Sequence, residues 1–309
     1  MKVYLHNSVD TLSEDWFAWH TAWHTSSLKR LMEGMEMDVH DDCEDDDEEE
    51  EEEDVKRELK VRSLLINGSA SRGYLSILQL WEQRSKDLYG SLYGRASVRS
   101  RVWEPWACAN AAKGGHIEVL KWLRSKAGCA WDEYTCAGAA AEGRLEVLKW
   151  ARENGCPWGE RVCHRAARGG HLKCLKWARE NGCPWTDRKV CSYAAEGGHL
   201  ETLKWLVSHL EEEHRANLWV DMPELEILNT RTSFCAAKGG HLDVLQWLRS
   251  QDPPCPWDED TAEYAAMYGH LELLQWTTRA GCPWDKYTCA FCADKNGHTH
   301  VSQWISQFL

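Results

Sequence analysis

Short stretches of small residues alternate along the chain with short stretches in which apolar side chains recur at helical spacing. In LEVLKWARE (Leu145–Glu153), Leu145, Leu148 and Ala151 fall on one broad stripe with Val147 and Trp150 beside them, and Glu146 and Lys149 lie outside it. This spacing predicts an amphipathic helix. The preceding stretch TCAGAAAE (135–142) is rich in small side chains that permit close helix approach, and Gly143 follows where a helix must stop and turn. VCHRAARG (162–169), ending at Gly170, repeats the arrangement. After the second helix comes GCPW: glycine stops the helix, proline prevents its continuation, and tryptophan is expected to re-enter the core. Two helices this short leave their apolar faces unsatisfied, so stacked neighbours must cover them, which is the logic of a solenoid.

The unit recurs. GGHIEVLKWLRSKAGCAW (114–131) returns at 142–158, 169–185, 197–206, 239–257, 268–284 and 296–309. The helix tryptophans fall at 122, 150, 177, 205, 247, 276 and 304, spaced by 28, 27, 28, 42, 29 and 28 residues. Seven copies are explicit, and the long interval implies an insertion within 211–229. SASRGYLSILQLW (69–81) has the order of an eighth, degenerate copy, set off by a second insertion over 87–101.

These residues resemble the ankyrin repeat family. The likeness rests on Thr135 at the start of helix one, the Ala139–Ala140 pair, Gly170–His171 and the Leu145 to Leu148 start of helix two, and it covers roughly 64–309. It implies an all-α fold, an ankyrin-type helix-turn-helix repeat solenoid with shortened β-hairpin fingers. The family period is about 33 residues, and the loss here falls between the loop tryptophan and helix one, where only 132–135 remain. Tryptophan also replaces a leucine-type residue in helix two, and its large aromatic area points to the core. The last copy carries Thr299 and His300 in place of Leu-Glu, as a polar capping repeat should.

Composition changes this picture in one place. The net charge is −13 over 309 residues, yet Asp41 to Asp54 (DDCEDDDEEEEEED) alone holds 13 acidic residues and no basic one. Elsewhere the charges balance, and no basic block of the kind a nucleic-acid binder needs is present. Three segments are expected: a Trp-rich helical segment over 1–37, an acidic disordered linker over 38–60, and the repeat array over 61–309. Trp16, Trp19 and Trp23 give the first segment an aromatic face, read as a cap on the first repeat, with a docking helix for another protein as the alternative. The amino terminus has no run long enough for a signal peptide and no stretch approaches a membrane span, so an intracellular protein, cytoplasmic or nuclear, with reduced cysteines and no membrane contact is expected.

Candidate chemistry is sparse. The cysteines form a loop set (Cys129, Cys156, Cys183, Cys255, Cys282) and a helix-one set (Cys108, Cys136, Cys163, Cys191, Cys289), read as buried small side chains. The recurring Gly-His histidines are separated by the repeat spacing, and a local hydrogen bond across the inter-helix turn is their expected role. Cys289, Cys292, His298 and His300, and the pair His20 and His24, are the only local groups that suggest zinc. In the first group Cys289 and His298 are repeat-template positions and the two cysteines lie within a predicted helix rather than a knuckle loop, and the second lacks the glutamate of a zinc-protease motif. No metal, cofactor or catalytic constellation is assigned, and no enzyme activity is expected.

Positions that differ between copies are free to carry recognition. By the resemblance, the helix-one and finger residues Asn110, Tyr134, Arg161, Arg165, Arg188, Tyr193, Tyr264, Tyr287 and Phe291 line a concave face. Tyr and Arg are common interface anchors. The expected function is a non-catalytic protein-interaction scaffold, a monomer holding another protein. The alternative is an adaptor whose N-terminal segment recruits a second machine, for example a ubiquitin ligase.

Overall fold

The computed structural model describes residues 63–89, 103, 105–185, 187–216 and 227–309. The expectations for 1–37 and 38–60, including the tryptophan face, His20, His24 and the acidic tract, lie outside these residues. Contacts divide the chain between Ile66 and Asn67, and the larger unit is Asn67–Leu309.

Its described residues form helices and no strand. After a helix over 63–72 (α1) come α2 (Leu75–Tyr89), α3 (Pro105–Gly114), α4 (Ile117–Trp122), α5 (Glu133–Ala141), α6 (Leu145–Glu153), α7 (Glu160–Arg168) and α8 (Leu172–Glu180). Then follow α9 (Asp187–Glu196), α10 (Leu200–Ala216), α11 (Thr230–Gly239), α12 (Leu242–Arg249), α13 (Glu259–Met267), α14 (Leu271–Arg279), α15 (Lys286–Lys295) and α16 (Thr299–Ile305). Odd-numbered helices are helix one of each repeat and even-numbered helices are helix two. The expected fingers are reduced to short loops. The long α10 runs on to Ala216, and α9 still packs directly on α11, so the insertion does not interrupt the helix-one rank.

Close packing of that rank follows from its alanines. Ala111, Ala139, Ala166, Ala194, Ala236 and Ala265 are all fully buried, and helix-one neighbours touch along their lengths. Helix-two neighbours meet far less, so this unit curves toward its helix-one side. Between the ranks lies a column of fully buried leucines, Leu120, Leu148, Leu175, Leu203, Leu245 and Leu274, each contributing about 1.5–3 kcal/mol through burial.

The tryptophans differ from expectation. Apart from Trp103, the repeat tryptophans are not buried, and each loop tryptophan instead packs on the helix-two tryptophan of the next repeat. Trp131 meets Trp150, Trp158 meets Trp177, and Trp257 meets Trp276, with centroids 5.9, 5.7 and 5.9 Å apart and rings edge to face. The loop leaves the carboxyl end of helix two with few residues to spend, so its tryptophan stays on the outer seam. Arg124, Arg152 and Arg249 cover the outer faces of Trp131, Trp158 and Trp257 at 4.2, 4.7 and 4.1 Å. The same guanidinium groups donate to the carbonyls of Cys129, Cys156 and Cys255, tying each loop to its helix.

One irregularity in the repeat length has a visible cause. Cys129 lies seven residues after Trp122, whereas Cys156 lies six after Trp150. The extra residue is absorbed in a π-helical turn, Leu123–Ala127, after which the Cys129 amide bonds the Leu123 carbonyl and the loop regains its register.

The histidines do not bond across their own turns. His116, His171, His241 and His270 donate Nε2–H to the carbonyls of Ser71, Ala141, Glu196 and Lys238 at 3.0, 3.0, 3.2 and 3.1 Å, so each reaches the helix-one end of the preceding repeat. Those carbonyls lack an intrahelical donor, which makes them the natural acceptors. Arg144 stands where other copies have histidine, and its Nε–H reaches the Lys113 carbonyl at 3.4 Å. The ring needs a glycine beneath it. Gly170 has φ +72, and a Cβ there would lie 2.4 Å from His199 Nδ1. The Gly-His motif is therefore a latch between repeats.

Candidate functional site

The hydrogen bonds at the helix-one ends set the register of the binding face. The residue one before the acceptor of the His or Arg amide is Asn110 in α3, Gly138 in α5, Arg165 in α7, Tyr193 in α9, Cys235 in α11, Tyr264 in α13 and Cys292 in α15. Cys292 thus stands in the row of Arg165, and Phe291 aligns one residue earlier, with His164. The last repeat has one extra residue between its loop and its turn, so Cys289 is offset from the helix-one cysteine set.

Small side chains in this row open a groove. Gly138 and Ala141 form its floor on α5; Trp106, Asn110 and Lys113 rise on the α3 side, and Arg165 and Arg168 on the α7 side, around a cavity of about 430 Å3. Gly138 is required for more than the groove: a Cβ there would lie 2.9 Å from the Ala109 carbonyl oxygen, so this glycine also lets α3 and α5 approach. Asp132 caps α5 by accepting from the Tyr134 amide at 3.0 Å, which fixes the start of the helix and the position of Tyr134. The Tyr134 ring packs on Trp106 with centroids 5.2 Å apart, and Arg161 lies over the same ring at 5.0 Å while pairing with Glu133 at 3.0 Å.

Asn110, Tyr134, Arg161 and Arg165 are thereby gathered at one place. Tyr193 lies on the next helix against His164, with centroids 4.8 Å apart. Burial lowers the His164 pKa below the ordinary 6.5. Tyr264 is separate, stacked between Phe234 at 5.0 Å and Tyr268 at 6.2 Å. Tyr287 and Phe291 are each 65% exposed on the last repeat. The Arg188 side chain lies outside the described residues. Sequence comparison missed Trp106, Lys113, Glu142 and Arg168. Trp106 sits four residues before Asn110, as Tyr134 and Arg161 do before Gly138 and Arg165, so helix register was the signal available for it.

Charge around the groove is uneven. Lys113 meets Glu142 at 3.8 Å and Lys189 meets Glu160 at 3.7 Å. Glu196 alone holds both Arg168, at 3.1 Å, and Lys238, at 2.9 Å. Arg165 is exposed, and no carboxylate among the described residues pairs with it.

The two cysteine sets, treated separately in the sequence, meet in space. Cys108 hydrogen-bonds Cys129, Cys136 bonds Cys156, and Cys163 bonds Cys183. Donation of the S–H to the loop sulfur, and then burial, push the helix-one thiols far above the usual cysteine range. In a later repeat Ser233 takes the helix-one place, with its hydroxyl 3.3 Å from Cys255 Sγ. That hydroxyl donates to the Pro256 carbonyl at 2.7 Å, so the helix-one place holds a hydrogen-bond donor of either residue type. No group of three or more His, Cys, Asp or Glu among the described residues is arranged to hold a metal ion. Nor is any described helix long and apolar enough to cross a membrane.

Comparison with known proteins agrees with this architecture. Residues 138–179 and 191–249, about a third of the chain, match the family model described as ankyrin repeats (many copies). No curated protein matches the sequence. Among solved structures, the crystal structure of the human ASB11 ankyrin repeat domain aligns at 18% identity and a TM-score of 0.38, covering 57% of this chain and 84% of that one. The fold of 67–309 is an ankyrin-type helical repeat solenoid.

Proposed function

We propose that the chain is a protein-interaction module that holds a partner along its helix-one face, centred on the groove between α3, α5 and α7. Repeats of the matched family are generally protein–protein interaction modules, and one matched segment, 138–179, begins at the groove floor. The observation that carries the reading is the convergence of Trp106, Asn110, Tyr134 and Arg165 on a groove floored by glycine and alanine. Aromatic and arginine side chains around a recess are the composition of interface hot spots. The large exposed side chains at the far end, Tyr287 and Phe291, extend the same helix-one surface.

Proximity labelling in the native cell, run with the wild-type chain and with two variants, tests the reading. Tyr134→Ala combined with Arg165→Glu should remove a defined subset of labelled proteins, and Lys173→Glu, an exposed change on α8, should leave the set intact. Loss of the same proteins with Lys173→Glu but not with the groove variant would place binding on the helix-two face and end the proposal.

A further inference from the structure

We infer that the groove takes an acidic segment of the partner protein, with a carboxylate on Arg165 and a neighbouring apolar side chain against Trp106 above the Gly138 and Ala141 floor. The inference rests on the reading of the helix-one face as the binding surface. Its basis is charge. Three cations, Lys113, Arg165 and Arg168, line the groove against one carboxylate, Glu142, which pairs with Lys113. Two positive charges are left over. One belongs to Arg165, which has no carboxylate partner among the described residues; the other belongs to Arg168, because Glu196 serves both Arg168 and Lys238.

Geometry decides what kind of anion fits. A free inorganic ion would use the guanidinium alone, leaving Trp106, 53% exposed, and the small-residue floor facing water. The guanidinium fork matches a carboxylate in two-point geometry. The Trp106 indole across the groove offers a large rigid apolar surface. The two features lie on opposite walls, with the Gly138 and Ala141 floor between them, so a peptide carrying Asp or Glu close to Leu, Phe or another large apolar residue satisfies both. The Asn110 amide lines the α3 wall and supplies donors and an acceptor for the peptide backbone.

The test is panning of a random linear peptide library, displayed on phage, against the full chain. Enriched peptides are then made as fluorescent probes and their binding is followed by anisotropy. The expected result is enrichment of Asp or Glu adjacent to apolar residues, with affinity that falls as salt rises. Arg165→Glu should weaken those probes by about tenfold or more, a loss of roughly 1.4 kcal/mol. Arg165→Lys should lose less, because it keeps the charge without the fork. Trp106→Ala should weaken them as well, and Lys173→Glu should change nothing.

Peptides that lose binding with Trp106→Ala yet ignore Arg165→Glu, or that show no acidic preference, overturn this inference and leave the helix-one reading standing. Sensitivity to Lys173→Glu alone overturns both. A panning that enriches nothing also counts against the inference. Matching urea denaturation curves for wild type and Arg165→Glu, an exposed site, establish that a lost signal is lost contact.

Discussion

Substituting alanine for Gly170 separates the latch from ordinary turn chemistry. Gly170 and Gly182 both sit in the left-handed region, at φ +72 and +78. At Gly182 an added Cβ meets nothing within 4 Å, whereas at Gly170 it lies 2.4 Å from His199 Nδ1 and 2.6 Å from Cγ. Both alanine variants therefore bear the left-handed strain, about 1–2 kcal/mol. Only Gly170→Ala must also push the His199 ring away from the Arg168 carbonyl it bonds. Losing that hydrogen bond adds about 0.5–1.5 kcal/mol, and the displaced ring disturbs packing between repeats besides. The expected costs are about 1–2 kcal/mol for Gly182→Ala and roughly 2–4 kcal/mol for Gly170→Ala. Urea denaturation followed by tryptophan fluorescence measures both, with the midpoint as the readout, because a repeat array need not unfold in one step. In a His199→Ala background the excess should vanish, since the added methyl then has room. Equal costs for the two glycines, or an excess that survives removal of the ring, would refute the latch.

Burial lowers the pKa of both His164 and His199, so the folded chain binds fewer protons than the unfolded one just below pH 6.5. Their contribution is complete above that pH and is lost as pH falls through it. Urea midpoints should drop between pH 7.5 and pH 5.5, and less so for His164→Phe, which installs the residue that Phe234 and Phe291 place in the same register. Cys136→Ser should melt within a few degrees of wild type, because Ser233 fills the equivalent place beside Cys255 and donates its hydroxyl to the Pro256 carbonyl at 2.7 Å, whereas Cys136→Val removes the donor and should melt lower. Native-state thiol labelling should reach Cys292 and spare Cys174 and Cys235, both buried, with thiols pushed up to about 11. On the outer seam, Trp158→Ala removes a half-buried ring from Trp177 and should cost about 1–3 kcal/mol by the same urea assay.

Much of the fold is legible in the sequence because the unit repeats. The stripe in LEVLKWARE, the alanine pairs and the glycines after them mark both helices and the turn, and the loop after Cys-Pro marks where each repeat ends. Positions whose partner lies in another repeat are harder to read. The histidines looked local because their acceptors are 30 to 45 residues away, on the previous repeat. The tryptophans looked like core because size alone suggests burial, while the short loop leaves them on the seam. The groove was only half visible: comparing copies draws attention to large variable side chains such as Tyr134 and Arg165, but the recess itself comes from Gly138 and Ala141, whose side chains are nearly absent. The extra residue in the last repeat likewise hid the shift that puts Cys292, not Phe291, in register with Arg165.

Site-specific photo-cross-linking tests the central claim most directly. A photoreactive phenylalanine analogue is placed in the full chain at Asn110 on the groove wall and, separately, at Glu146 on the exposed side of α6, and both chains are irradiated in the native cell. A binding surface on the helix-one face should give protein adducts at 110 and none at 146; adducts at 146 with none at 110 would contradict it.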